Sequence, residues 1–285
     1  MIYLFTALYC EASLFIKRFH LTKNPENTKF QEFYNEEAGI RLTVTGVGEI
    51  AAAAAVSCVC STYRPTINDL LLNVGTCGRN DGHGGVFLCN KIIELVTGKT
   101  FYPDILYRHT FDEAEIVTGM RIFDRDDGEL LERCPKGVLY DMEAAAVYQA
   151  GTYFVGPHQM AFLKVVSDNG NAKGMTREQI EQLMEQFSDR LCGFVERIDR
   201  VSSSLAENDT GWSERLEMLF VKMCVDLHCS KVMGDSLRQY IRYFSLSGTD
   251  VEAVVTDMYE SGRLPCKDKR EGKQRFEELK RRLFE

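Results

Sequence analysis

"DLLLNVGTCG", residues Asp69 to Gly78, decides the fold. Apolar side chains follow one another from Leu70, with Asn73 as the one interruption, and the run stops at glycine. A strand with one wet face alternates apolar and polar residues. A continuous apolar run belongs to a strand covered on both faces. Such strands occur where helices pack on both sides of a sheet, so strands and helices should alternate along the chain.

They do in both directions from this run. Upstream, residues 2–8 read as a buried strand, 11–19 as a short helix, and 30–35 and 41–46 as strands. "GVGEIAAAAAVSCVCSTY", Gly46 to Tyr63, reads as a helix whose small residues allow close packing on a sheet. Downstream, "GGVFLCNKIIEL" predicts a strand, Phe101 to Ala114 an irregular segment, and "EIVTG" a short strand. Helices are expected around Gly128–Cys134 and over residues 142–150. "MAFLKVVSD", Met160 to Asp168, is another buried strand. Thr176 and Gln179 form a capping box. Behind them Ile180, Leu183, Met184, Phe187, Leu191, Phe194 and Ile198 share one helical face, in a helix ending near Val201. In open α/β sheets, ligands collect at the carboxyl ends of the strands.

"SSSLAENDTG", residues 202–211, has linker composition. It separates a domain over residues 1–201 from an all-helical extension over 212–285. The extension predicts four helices, Trp212–Asp226, Ser230–Phe244, Thr249–Ser261 and Asp268–Phe284, with a second capping box at Thr249 and Glu252.

The chain has 285 residues, 45% of them hydrophobic, enough for one large core and a smaller one. The net charge of -8 argues against a general nucleic-acid binder. The ten cysteines lie mostly in apolar runs and read as reduced thiols. "CVDLHC", Cys224 to Cys229, is a weak metal signal and reads as structural. No apolar stretch is long enough to span a membrane, and no signal peptide is recognisable. A cytoplasmic location is the expectation.

Three acids stand where strands and helices meet. Glu11 follows the first strand in "TALYCEA", Glu143 opens a helix in "YDMEAAA", and Asp168 ends a strand in "VVSDNG". Each has an ordinary reading alone: a first-turn acid, a capping acid and a turn former. Together with "VTGVGEIAAAAA" and "LLNVGTCG", in this order, they resemble the 5'-methylthioadenosine/S-adenosylhomocysteine nucleosidases, within the nucleoside phosphorylase superfamily. The resemblance covers about the first two hundred residues and does not extend into the tail.

The resemblance implies a three-layer α/β/α sandwich around a central mixed sheet of the nucleoside phosphorylase type. It implies hydrolysis of the N-ribosidic bond of methylthioadenosine or S-adenosylhomocysteine. Glu11 would be the base for a water positioned against the anomeric carbon, and Asp168, preceded by Ser167, would protonate the leaving purine. Glu143 would accept from the ribose hydroxyls, with Met142 under the sugar face. Val47 and the strand end Thr76, Cys77 and Gly78 would border the ligand. The family's aromatic base-stacking position falls at Ile122 or Phe123, and Asp141 stands where the family usually has glutamate. The chemistry parallels glycoside hydrolysis, with acids on opposite sides of the scissile bond. It needs no metal or organic cofactor. The resemblance also implies a homodimer.

Phosphorolysis on the same fold is the alternative. It needs cations for phosphate, and phosphorylases resembling this chain carry arginine where Asn73 stands. Arg79 in "GRNDGHGG" leaves a phosphate cradle open. A further alternative is a non-catalytic nucleoside sensor with its output through the tail. The last 23 residues hold nine Lys/Arg among five Asp/Glu. That spacing suits a solvated helix more than a nucleic-acid reader.

Overall fold

The computed structural model describes residues 1–82, 84–170, 175–208 and 214–284. The chain divides into two compact units, Met1–Ala206 and Glu207–Glu285.

The first unit is mixed α/β. Strand β1 (Ile2–Thr6) leads into helix α1 (Tyr9–Arg18). Strands β2 (Thr22–Lys23), β3 (Gln31–Asn35) and β4 (Ile40–Val44) precede helix α2 (Glu49–Tyr63). Then come β5 (Leu70–Arg79), β6 (Val86–Glu94), β7 (Thr100–Phe101) and β8 (Asp112–Thr118). Helix α3 (Gly128–Arg133), strand β9 (Leu139–Asp141), helix α4 (Ala144–Gly151) and strand β10 (Met160–Asp168) follow. Helices α5 (Arg177–Gln186) and α6 (Ser188–Asn208) complete the series.

β5 is the strand of the decisive run, and it sits at the centre. It pairs in parallel with β1 and β10 and antiparallel with β9. β10 also pairs antiparallel with β6, and β6 and β9 both pair in parallel with β8. The five strands β5, β10, β6, β8 and β9 thus close on one another, while β1, β4, β3 and β2 extend the sheet on the other side.

Successive strand residues feed two separate cores, as the pleat requires. Ile2, Leu4, Leu72 and Val74 join one with Phe15 of α1, Met184 of α5 and Phe194 of α6. Tyr3, Phe5 and Leu71 join the other with Val56 of α2 and Val147 of α4. Each fully buried large apolar side chain contributes about 1.5–3 kcal/mol.

Several expectations change. The segment predicted as one helix to Val201 is two, because the backbone leaves helical geometry at Phe187. The second helix runs on to Asn208, so residues 202–208, expected in the linker, are helical. Serines alone do not stop a helix that is already propagating. Residues 209–211 of that expected linker lie outside the described residues. The helix expected over 142–150 begins at Ala144. The irregular 101–114 segment ends early, since β8 takes in Asp112.

The second unit contains α7 (Glu214–Asp226), α8 (Lys231–Leu246), α9 (Val251–Glu260) and α10 (Lys269–Phe284). The expected start of α7 at Trp212 lies outside the described residues. Leu237, Ile241 and Phe244 of α8 share a core with Met223, Val255 and Leu279. The expected capping box at Thr249 is replaced one residue on, where Asp250 accepts from the Ala253 amide at 3.0 Å. Asp is a better cap than Thr and stands nearer the first helical turn, so it takes the role.

Candidate active site

A cavity of about 220 Å³ opens at the carboxyl ends of β1, β5 and β10. Each of the three acids reaches it from a different element.

Glu11 stands in the first turn of α1, two residues beyond its start. Its Oε2 accepts from the amides of Ala7 and Leu8, each at 3.0 Å, the orphan donors of a helix N-terminus. Its Oε1 accepts from the Thr76 amide at 2.7 Å and the Thr76 hydroxyl at 2.8 Å. Parallel pairing of β1 and β5 brings Thr76 within reach. Gly75 leaves room for this carboxylate. A Cβ at that position would lie 3.2 Å from Glu11 Oε1, closer than a neighbour held by four hydrogen bonds readily yields.

Glu143 enters at the junction of β9 and α4. Its Oε1 accepts from the Gly48 amide at 2.8 Å. Gly48 has φ +98°, a conformation that glycine adopts freely and that turns this amide toward the acid. Burial pushes the Glu143 carboxyl up to about 7, and the neighbouring Asp141 charge adds to the rise. Lys164 and the Gly48 amide oppose it.

The capping role expected of Glu143 belongs to Asp141. Asp141 Oδ2 accepts from the Ala144 amide at 2.9 Å, and its Oδ1 accepts from the Thr118 hydroxyl at 2.7 Å. The Lys164 ammonium lies 2.7 Å from Asp141 Oδ2, with both side chains buried. Burial alone would lower the Lys164 ammonium. The charges of Asp141 and Glu143 overcome it and hold the group above its ordinary value.

Asp168 closes β10. Its Oδ1 accepts from the Gly170 amide at 2.9 Å, and its Oδ2 lies 2.7 Å from Ser167 Oγ. Ser167 Oγ is also 3.1 Å from the Cys77 carbonyl. The hydroxyl has one proton and two acceptors, so it serves either state of the acid. It donates to an ionised Asp168, or turns to Cys77 and leaves its lone pair for a protonated one.

The residues that the resemblance set against the ligand all lie at this cavity. Glu11, Val47, Thr76, Cys77, Gly78, Ile122, Phe123, Met142, Glu143, Ser167 and Asp168 all line it. Ile122 is exposed. Phe123 is buried and stacks on Tyr140 with ring centroids 5.3 Å apart. Sequence reasoning missed Ala7, Leu8, Tyr140, Met175 and Ile180 in the lining. It also missed Lys164, although a lysine inside the apolar run "MAFLKVVSD" is a visible anomaly.

Asn73 is buried, and its amide donates to the Phe5 carbonyl at 3.2 Å. Arg79 is engaged elsewhere, with Nε 2.6 Å from Asp81 Oδ1 and its guanidinium over the Phe87 ring. Among the described residues, no cluster of three His, Cys, Asp or Glu is placed to hold a metal ion. No helix among them is long and apolar enough to cross a membrane.

An α/β unit with a central mixed sheet and an acid-lined cavity at its strand ends defines the class of fold. Solved structures show which fold it is. The chain is similar to the 5'-methylthioadenosine/S-adenosylhomocysteine nucleosidase of Neisseria meningitidis, solved with methylthio-immucillin-A. The identity is 18% over 70% of this chain and 98% of that one, with a TM-score of 0.57. It is similar to the Colwellia psychrerythraea nucleosidase, solved with adenine, at 15% identity, 69% and 94% coverage and a TM-score of 0.58. The 5'-methylthioadenosine nucleosidase of Arabidopsis thaliana matches at 19% identity, 70% and 95% coverage and a TM-score of 0.55. No protein-family model and no curated protein matches the sequence. The chain has the fold of the methylthioadenosine/S-adenosylhomocysteine nucleosidases.

Proposed function

We propose that the first unit is a purine nucleosidase. It would hydrolyse the N-ribosidic bond of 5'-methylthioadenosine, S-adenosylhomocysteine or both, releasing adenine and a 5-thioribose product. The observation that carries this reading is the convergence of Glu11, Glu143 and Asp168 on one cavity. Asp168 delivers a proton to the departing purine. Ser167 can accept the change of charge by turning its hydroxyl. Glu143 accepts from the ribose hydroxyls, with Met142 beneath the sugar. Glu11 orients the water and, as the base, takes its proton when it adds to the anomeric carbon. Of its four donors only the Thr76 hydroxyl rotates, so Thr76 is the group that yields Oε1 to water. Phe123 and Ile122 border the base. The two cores fed by alternate strand residues support a three-layer α/β/α arrangement.

Hydrolysis is favoured over phosphorolysis by the charge of the lining. The described residues that border the cavity include no lysine or arginine to hold a phosphate. Arg79, the cation that the sequence offered for a phosphate cradle, is paired with Asp81.

A homodimer is part of the proposal. The first two turns of helix α2 are almost wholly apolar, yet Ile50 is 81% exposed, and Tyr153 just beyond α4 is 84% exposed. An apolar helix surface is ordinarily covered, and a second copy would cover this face.

Adenine release from methylthioadenosine, measured with and without inorganic phosphate, tests the reaction. Free thioribose without phosphate is the expected product, and a strict phosphate requirement overturns hydrolysis. Asp168→Asn should lower turnover by about 10²–10⁴-fold, the usual contribution of a positioned proton donor. The folded protein should persist, and near wild-type turnover in that variant ends the assignment.

A further inference from the structure

One acid of the cavity lining, Asp141, is paired with a buried charge that the proposed reaction leaves unused. Lys164 lies in the middle of β10 between Leu163 and Val165, and its side chain is 1% exposed. A buried ammonium is costly unless paired, and its partner is Asp141. Asp141 in turn stands two residues before Glu143, so one buried ammonium is set against two acids, both of which border the cavity.

Other groups face these three. The thiols of Cys77 on β5 and Cys89 on β6 lie toward Lys164, and burial pushes both up, which keeps them neutral. Glu11 from α1 faces Glu143. Glu49 from α2 faces Asp141 and Glu94. Every charged neighbour in this set is acidic, and Lys164 is the cation that offsets them.

We propose that Lys164 is a positioning residue for the sugar side of the cavity: acting through Asp141, it keeps the Glu143 carboxylate available as an acceptor for ribose hydroxyls. The proposal rests on the purine-nucleosidase reading and deepens it. Without Lys164, Asp141 and Glu143 become two neighbouring carboxylates in a water-poor site, and such pairs retain a proton. Asp141 keeps the Thr118 hydroxyl and the Ala144 amide as donors, so the proton settles on Glu143. A protonated Glu143 has lost acceptor capacity where the ribose needs it.

The test compares wild type with Lys164→Met, Lys164→Arg and Asp141→Asn. Two quantities are measured: the pH dependence of kcat/KM for methylthioadenosine, and the titration of the Glu143 carboxyl by carbon-13 NMR. The NMR uses glutamate-labelled protein, with Glu143→Gln to assign the signal. In Lys164→Met the Glu143 midpoint should rise by about one pH unit or more, with about a tenfold loss of kcat/KM at neutral pH. The loss should recover toward alkaline pH. Lys164→Arg should keep the wild-type profile, and Asp141→Asn, which leaves the ammonium beside Glu143, should move the midpoint down. Equal loss of activity at every pH, with an unmoved midpoint, overturns the proposal and leaves Lys164 a core filler. Should Lys164→Met not fold, Lys164→Gln, which keeps a donor for Asp141 without the charge, is read by the same two measurements. A wild type that releases no adenine overturns the nucleosidase reading, while the NMR midpoints still decide the link between Lys164 and Glu143.

Discussion

The two units bury different things. The first hides Glu11, Glu32, Arg41, Asn73, Asp141, Glu143, Lys164 and Asp168 inside its fold. Among the described residues of the second, every buried side chain is apolar, and the ion pairs lie nearer its surface. An apolar interior stabilises a fold without any specific arrangement of charge. An interior that carries charges needs a hydrogen-bond partner for each, and that expense is met where geometry matters for chemistry. The contrast teaches where to look for function: in the unit whose core is the harder one to assemble.

Four measurements sharpen or break this contrast. The largest effect should follow Glu11→Gln, which keeps the shape of the acid and removes its charge. Turnover of methylthioadenosine should fall by about 10²–10⁴-fold, and the melting temperature should fall as well, since the new amide nitrogen faces backbone N–H groups that Glu11 accepts from. A variant that retains activity would place the essential charge elsewhere.

Next comes Arg41→Met. The guanidinium lies 2.7 Å from the fully buried Glu32, which also accepts from Asn24, Asn27 and Tyr63. Burial pushes the Glu32 carboxyl up, but these hydrogen bonds outweigh it and hold the group below its ordinary value. Stranding the carboxylate should cost about 3–5 kcal/mol in a denaturant titration, and adding Glu32→Gln should recover part of that. A near-neutral single variant would show that the first unit tolerates unpaired buried charge.

Glu143→Gln should stabilise the protein by on the order of 1–3 kcal/mol at alkaline pH. The sign follows from a folded-state pKa of about 7 against an ordinary value of 4.5. A raised carboxyl favours the fold below its ordinary value, and that contribution is lost as pH rises through 7. The advantage of the variant should therefore be absent at acid pH and grow to a plateau above neutrality, as thermal melts across pH would record. A constant difference would exclude Glu143 as the titrating group.

The smallest effect belongs to Arg238→Gln in the second unit. Arg238 and Glu217 pair at 2.7 Å with both side chains nearly half exposed, and exposed pairs are worth less than about 1 kcal/mol.

Much of the first unit was legible because its signals are local. Apolar runs marked β1, β5 and β10, and the acids stood at the ends of those runs. What stayed hidden depends on pairing across the sheet. Nothing near Glu11 in sequence announces Thr76, which arrives only because β1 and β5 are neighbours. The resemblance set Glu143 apart from Asp141 in "YDMEAAA", but nothing local announced that Asp141 would pair with Lys164, which arrives from the next strand in the chain, β10. The extent of α6 was misread because serine-rich composition was weighed above helix continuation. The break at Phe187 left no mark, since Phe187 fits the apolar face of a continuous helix.

The seat that β5 provides for Glu11 also limits how this sequence can drift. Replacing Gly75 by alanine, the smallest available change, sets a methyl group against the carboxylate and its hydrogen-bonded shell. A library of variants sorted only for folding should accept several residues at 75, and the same library sorted for adenine release should return glycine. Position 75 touches no ligand in the proposed reaction, yet its freedom to vary is set by the acid it shelters.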